Sequence, residues 1–467
     1  DQRNNLGSRE KYEREYDKWK ANDKRGKEPT QALPSFAKGL SGHQRYLKEI
    51  PEGGRRDVIL YRTAFIYDLM GRSTEAFPLL MEISRKFPQS RQIGPANLRI
   101  GEFYFVDKKY DSAIVYYNKV DPNAPGSEAV LGLALYHKAE ALYQKAKYQV
   151  AVDAFFDYVE RADKGQIRGD LRSEAILYMG SCFAEFPDSY KDAKKYFGQR
   201  GHRAYEDTLF YELAIKHADR DQHDLAIPAL EYFLKTYSDY YKAPLAQIKV
   251  VEVWDKKKKI EEAQEAREQL VQKFGRTSAW WQKPRKIDRK ELEQIQIRVR
   301  DVMLEVAMQL HFPGKERKDT NMVKKAVASY QRFVDQYATE GNWPIYRAKI
   351  YLADALSFIR QHEQAADVYL WASAENVNDP KKYREPTIAE RKLTQPVDAG
   401  YNAVAELQLA ASDEVAKQGG DKVKAYNQPI TKRYMASVES YLNKFPKATD
   451  APDLTYNLLL FQVNGQD

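Results

Sequence analysis

The chain of 467 residues has a single cysteine, Cys182. One thiol excludes an internal disulfide and any zinc site built on cysteine pairs, and it leaves the compartment open, because disulfide-free proteins live in reducing and oxidising compartments alike. Long apolar runs are missing too: no stretch approaches the ~18 consecutive apolar residues of a membrane helix. No Gly-x-Ser-x-Gly elbow, phosphate-binding P-loop or dinucleotide fingerprint is present, which removes the main sequence support for hydrolase and nucleotide-enzyme chemistry. The histidines (His43, His137, His202, His217, His223, His311 and His362) include no i, i+4 pair with an acidic neighbour, so neither a metal nor a cofactor is implied. Cys182, at a helical position beside Met179 and Phe183, reads as a buried structural thiol rather than a nucleophile. Charge of one sign is weak: the net charge is +8, and Asp and Glu are interleaved with Lys and Arg along almost the whole chain. Diffuse charge of this kind marks a solvated surface rather than a nucleic-acid footprint.

What is abundant is tyrosine, 33 residues against 19 Phe and 6 Trp. A tyrosine buries its ring while its hydroxyl stays wet, which suits thin-walled helical arrays with a long surface. The chain starts at Asp1 without a methionine or a targeting motif, and the expectation is a processed or cloned piece of a longer protein. Its length exceeds one compact core, leaving several domains or a repeat array.

A repeat is legible. Small residues inside helical patterns fall at Ala76, Ala113, Ala151, Ala193, Ala226, Ala263, Ala326, Ala365 and Ala436, with successive differences of 37, 38, 42, 33, 37, 63, 39 and 71. Most lie near the ~34-residue period of a helix–turn–helix unit. With Asp57 as position 1, Tyr67, Ala76, Leu80 and Pro88 stand at positions 11, 20, 24 and 32. With Gly94 as position 1, Gly101, Tyr104, Ala113, Tyr117 and Pro125 stand at 8, 11, 20, 24 and 32. Small residues at 8 and 20 let antiparallel helices approach, bulky ones at 11 and 24 fill the space beside them, and the proline closes the unit.

These two units resemble tetratricopeptide repeats, and looser matches run through most of the chain from Asp57 onward. The resemblance implies an all-α, right-handed solenoid of about nine to ten helix pairs, non-enzymatic, that binds other proteins. A second resemblance is narrower. The phrases Lys86-Phe87-Pro88-Gln89-Ser90, Thr236-Tyr237-Ser238-Asp239-Tyr240 and Lys444-Phe445-Pro446-Lys447-Ala448 are similar to turns in bacterial envelope tetratricopeptide proteins of the outer-membrane assembly lipoprotein and cell-division coordinator type. That likeness implies the periplasm or the inner face of the outer membrane, with membrane-associated complexes as partners. Read physically, the aromatic caps the second helix and packs under the next unit.

Composition breaks suggest residues 1–50 as a polar arm or capping helix with a linker through Pro29 and Pro34, and 51–275 as a repeat block. A Trp/Pro junction is expected at 276–288, and 289–467 reads as a second, more divergent and truncated block. A helix from Arg289 should stop at His311-Phe312-Pro313-Gly314, residues 375–395 read as a polar loop, and a last helix spans Pro452 to Val463.

In a tetratricopeptide array the first helices line the concave face, with positions 2, 5, 9 and 12 inward. Position 5 reads Tyr61, Leu98, Tyr136, Tyr178, Tyr211 and Ile248, and position 9 reads Phe65, Glu102, Glu140, Cys182, Ile215 and Glu252. The expected groove is therefore aromatic and acidic, suited to a peptide or helix that inserts apolar and basic side chains. The competing reading packs these tyrosines between first helices with only their hydroxyls showing. Chaperone-tail adaptors of the family carry Lys and Asn at such positions; positions 5 and 9 here hold neither, which disfavours that role. Two secondary contacts are candidates. Trp280-Trp281 can be an exposed anchor or a plug, and Lys256-Lys257-Lys258-Lys259, the one dense basic tract, can be a solvated turn or a contact for RNA or an anionic surface.

Overall fold

A computed structural model of the chain describes residues 2–21, 29, 36–285, 287–417 and 422–464, and among them there is helix but no strand. The contacts gather into two compact units, Asp1–Ala229 and Leu230–Asp467. Residues 276–288 lie inside the second.

In the first unit α1 (Gln2–Ala21) and α2 (Ala37–Glu49) precede the hairpins. The expected linker, Pro34 included, lies outside the described residues. Then come α3 (Arg56–Leu69) and α4 (Ser73–Lys86), α5 (Ile93–Val106) and α6 (Tyr110–Asn118), α7 (Leu131–Gln144) and α8 (Tyr148–Asp163), α9 (Arg172–Phe183) and α10 (Tyr190–Arg200). Helix α11 (Glu206–Asp219) leads into α12 (His223–Thr236), within which the division between units falls. The second unit continues with α13 (Ala243–Lys256), α14 (Ile260–Phe274), the short α15 (Ala279–Gln282), α16 (Arg289–Glu316), α17 (Thr320–Tyr337), α18 (Trp343–Phe358) and α19 (His362–Ser373). It closes with α20 (Ile388–Arg391), α21 (Pro396–Lys417), α22 (Lys422–Tyr426), α23 (Pro429–Lys444) and α24 (Ala451–Asn464). Among the described residues this makes nine pairs of long helices, α21 pairing with α23, plus α24 at the end, an α-solenoid array as expected. Within each unit consecutive long helices pack together, as α3 with α4, α4 with α5, α7 with α8, α13 with α14, α16 with α17 and α17 with α18, and first helices also touch one another: α5 with α7, α7 with α9, α9 with α11, and α13 with α16. That row of first helices builds the surface discussed below.

One turn is used again and again inside the hairpins. Gly71, Lys108, Ala146, Asp221, Lys258, Lys318 and Arg360 all have positive φ, and the amide after each donates five residues back, as in Arg72 N to Tyr67 O (2.8 Å) and Lys259 N to Trp254 O (3.0 Å). This is a Schellman cap, which consumes the carbonyls a helix end leaves orphaned. A second turn joins successive pairs. Phe87 N reaches Ile83 O, Ser90 N reaches Phe87 O and Ile93 N reaches Ser90 O; the same set recurs from Tyr237 and from Phe445. The three similar phrases of the sequence are thus one backbone turn with an aromatic cap.

Eight of the nine aligned alanines are no more than 1% exposed, so the period locates the helix contacts. Ala436 is exposed, and Ser437 faces inward instead, because Tyr434, Val438 and Tyr441 set the buried stripe of α23 one residue further on. Two further expectations are corrected. Helix α16 runs through Pro313 to Glu316, since a proline removes a single donor and Val302, Val306 and Leu310 are buried along that face. Residues 375–395 are anchored rather than merely polar. Tyr383 lies edge-on to Trp343 at 5.3 Å, Trp343 Nε1 donates to Arg384 O (2.8 Å), and Glu390 closes a capping box with Thr387 at the start of α20. The expected last helix is present as Ala451–Asn464.

Candidate functional site

The first helices of the first unit carry a polar and aromatic ribbon from α3 to α11. Phe65 on α3 is 44% exposed, and the Arg99 guanidinium of α5 lies 6.0 Å from its ring centroid. Arg99 also stands 3.5 Å from Glu102 on the same helix. Burial raises the Glu102 carboxyl above the ordinary carboxylate range against the pull of Arg99. On α7, His137 Nδ1 lies 3.1 Å from Glu140 Oε2, and from α9 the Tyr178 hydroxyl donates to Glu140 Oε1 at 3.4 Å. Burial, with Glu140 beside it, raises the Tyr178 hydroxyl too. Arg220 at the end of α11 pairs with Glu185 just beyond α9.

Not all expected groove residues share this surface. Leu98 and Tyr136 are buried, at 4% and 6% exposure, and Tyr136 packs edge-on against Phe155 and Tyr158 of α8. Position 5 thus follows the packing reading at these two units. Tyr61, Tyr178 and Tyr211 are half-buried, with Tyr178 stacked on Phe155 at 5.2 Å. Ile248 and Cys182 are buried, and burial pushes the Cys182 thiol well above its usual value. Glu252 belongs to the second unit, where Lys249 (2.9 Å) and Arg298 (3.1 Å) neutralise it and hold its carboxyl below the usual range despite burial.

The first-unit surface holds a cleft of about 520 Å³ lined by Asp68, Phe77, Leu80, Arg99, Glu102, Phe103 and Val106. Val106 in this lining is 82% exposed. Asp68 stands at position 12, so the register could have found it. Phe77 lies on a second helix and Phe103 off the inward positions. No rule for first-helix faces points to either; their rings meet at 4.3 Å only because α4 and α5 pack together.

The secondary candidates divide. Trp280 is buried, its Nε1 donates to Ser238 O (2.9 Å), and Arg285 lies 3.6 Å over its ring. Trp281 Nε1 donates to Phe274 O (2.8 Å), so both indole donors are satisfied within the second unit. Lys256 ends α13, and Lys257, Lys258 and Lys259 form its Schellman turn, with Lys257 5.6 Å from the Trp254 centroid and Lys259 3.6 Å from Glu262.

One constellation was not read from the sequence. Ser189 Oγ lies 2.5 Å from His217 Nε2, and Gln222 Oε1 lies 2.7 Å from His217 Nδ1. Ser189 has φ 46° and ψ −110°. A serine–histidine pair on a strained backbone suggests nucleophilic chemistry, but both residues are fully buried and no substrate can reach them. It is a polar staple. Among the described residues no group of three or more His, Cys, Asp or Glu could hold a metal ion, and no helix is long and apolar enough to cross a membrane.

The class this defines is an array of antiparallel helix pairs joined by two recurring turns. The tetratricopeptide repeat family matches residues 59–90, which span α3, α4 and the aromatic turn. No curated protein sequence matches the chain. Among solved structures, the chain is similar to the TPR2AB domain:pHSP90 complex of yeast Sti1, with 12% identity over 81% of this chain and 100% of that one and a TM-score of 0.24. It is also similar to the P58(IPK) TPR domain (14% identity, 98% and 99% covered, TM-score 0.21) and to the human IFIT1 dimer with PPP-AAAA (12%, 92% and 96%, TM-score 0.20).

Proposed function

We propose that the chain is a non-enzymatic scaffold that holds a peptide or helix of a partner protein on the first-helix surface of its first unit. The observation that carries this reading is the cleft, where the exposed Val106 adjoins the carboxylates of Asp68 and Glu102 and the exposed Phe65 lies against Arg99 of the lining. Apolar anchors beside carboxylates suit a segment with apolar residues and a neighbouring basic one. The test is site-specific photo-crosslinking in native extract, with a benzophenone side chain in place of Phe65, Val106 or, as the comparison position, the exposed Val150 on α8. Partner adducts at 65 and 106 that disappear with Glu102→Lys support the surface. Adducts confined to position 150 refute it.

The finer placement, a bacterial envelope assembly, rests on the aromatic turn phrase alone. Fractionation of cells expressing the full-length gene tests it, and a cytoplasmic chain would end it. The RNA or anionic-surface alternative would use Lys256–Lys259. That tract is a helix cap in which Lys257 and Lys259 serve Trp254 and Glu262. Binding through it would weaken steeply with salt, and groove binding would not.

A further inference from the structure

We infer that a cleft in the second unit receives the guanidinium of an arginine side chain presented by a partner protein, a site separate from the first-unit surface and independent of it. The cleft, about 430 Å³, lies among the end of α12, α13 and α14.

Its origin shows when two hairpins are aligned. The turns at Phe87 and Tyr237 carry the same hydrogen bonds, so α4–α6 and α12–α14 correspond at an offset of 150 residues. In the earlier set the space is filled. The Tyr116 ring stacks on Tyr104 with centroids 5.6 Å apart, and its hydroxyl donates to Met81 Sδ (3.3 Å). Beside it Asn97 is satisfied at both ends: Ser84 Oγ donates to its Oδ1 (2.7 Å), and its Nδ2 donates to Lys119 O (3.2 Å). In the later set Ala266 replaces Tyr116, Trp254 replaces Tyr104, Glu231 replaces Met81, Leu234 replaces Ser84 and Gln247 replaces Asn97. The ring is gone and a cleft stands in its place.

The replacements also leave polar groups without partners. Gln247 is 1% exposed; its Nε2 donates to Ala266 O (2.9 Å), and its Oε1 has no hydrogen-bond partner among the described residues, because leucine stands where serine served. Glu231 and Glu265 both line the cleft; Glu265 Oε1 accepts from Gln269 Nε2 (3.4 Å), and neither carboxylate stands in an ion pair among the described residues. Burial, with Glu265 nearby, raises the Glu231 carboxyl above its ordinary range. Two lysines line the cleft as well: Lys273 donates to Gln269 Oε1 (3.3 Å), and Lys235 makes no ion pair among the described residues. Trp254 already draws a cation, Lys257, to 5.6 Å from its centroid.

An occupant must therefore lie flat against an indole, donate to carboxylates and donate to a buried amide oxygen. A tyrosine restoring the missing ring has one donor and leaves the two carboxylates facing each other. An ammonium has donors but no flat face. A guanidinium is planar, carries five N–H groups in a fork that fits carboxylates, and stacks on aromatic faces.

The test uses the full chain labelled with 5-fluorotryptophan. The Trp254 resonance is assigned by its loss in Trp254→Phe, and the chain is titrated with the peptide acetyl-Gly-Arg-Gly-amide and with its citrulline and tyrosine counterparts. The arginine peptide should shift the Trp254 resonance saturably below ~10 mM, with the citrulline peptide at least about tenfold weaker. Glu231→Gln with Glu265→Gln should weaken arginine binding about tenfold. Ala266→Tyr, which refills the cleft as Tyr116 does, should abolish it. The other five tryptophan resonances report folding, and if Ala266→Tyr disturbs them the glutamine pair decides. No saturable shift, equal shifts from arginine and citrulline, or tighter binding of the tyrosine peptide would overturn the assignment.

Discussion

Replacing Gly101 by alanine should destabilise the α5–α6 hairpin even though alanine is the better helix former. An exposed Gly→Ala change inside a helix stabilises by about 1 kcal/mol. At Gly101 the added Cβ would lie 2.4 Å from Cε1 and 2.6 Å from Cδ1 of Tyr117. Carbon atoms in contact sit at about 3.5–4.0 Å, so ring or helix must yield by roughly 1 Å or more. The ring cannot retreat easily: Tyr117 is 3% exposed, and His137 of α7 stacks on it at 6.0 Å. Overpacking of a tight core costs about 1–3 kcal/mol. Taking the upper end, a net loss of about 2 kcal/mol remains after the propensity term. In a repeat array such a loss is local, so the assay is hydrogen exchange of the α5 and α6 amides, with urea unfolding for the whole chain. Amides that open with this hairpin should exchange roughly thirtyfold faster. In a Tyr117→Leu background the same change should be neutral or stabilising, giving a coupling of about 2–3 kcal/mol between the two positions. If Gly101→Ala slows exchange in the parent, propensity has won and the close approach of the two helices does not limit this unit.

Other outcomes follow from single sites. Burial lowers the His217 imidazole below the ordinary 6.5, so the folded state keeps it neutral while the unfolded chain takes a proton. Stability should be full above pH ~6.5 and fall as pH drops below it, and His217→Asn should flatten that dependence in urea titrations at stepped pH; an unchanged slope refutes it. Lys108→Gly removes a side chain from a left-handed turn residue with φ 57°, and should raise the denaturation midpoint by an amount worth about 1 kcal/mol, whereas a lower midpoint would show that the lysine itself contributes. Trp280→Ala should cost about 3–5 kcal/mol in the second unit, read by calorimetry, and leave crosslinking at Phe65 intact. A stable Trp280→Ala chain that loses its partners would restore the tryptophan as an anchor.

The sequence determined the helix pairs, because period, buried alanines and turn residues act locally. A small residue at Ala76 or Ala113 is needed wherever two antiparallel helices cross, and an aromatic at Phe87, Tyr237 or Phe445 is needed wherever the second turn caps a helix. Such requirements repeat along the chain and can be read without coordinates. They also explain the slip at Ala436: in a divergent unit, alanine and serine serve a close contact equally, and only the packing of Tyr434 and Val438 shows which one faces in. The surface was less legible. Register marked Phe65, Glu102, Glu140 and Tyr178 as inward, yet Leu98 and Tyr136, at the same positions in other units, are buried. The angle between neighbouring hairpins decides how much of each first helix its neighbour covers, and that angle is set by side chains from different units. The partners of charged groups were decided at the same level. Glu252 is neutralised by Arg298, 46 residues away, while Gln247 keeps an unpartnered oxygen because Ala266 and Leu234 stand where another hairpin has Tyr116 and Ser84. One sequence pattern thus gives a filled core in one hairpin and an open cleft in the other. The backbone turns are local, and the space between helices belongs to whichever side chains meet there.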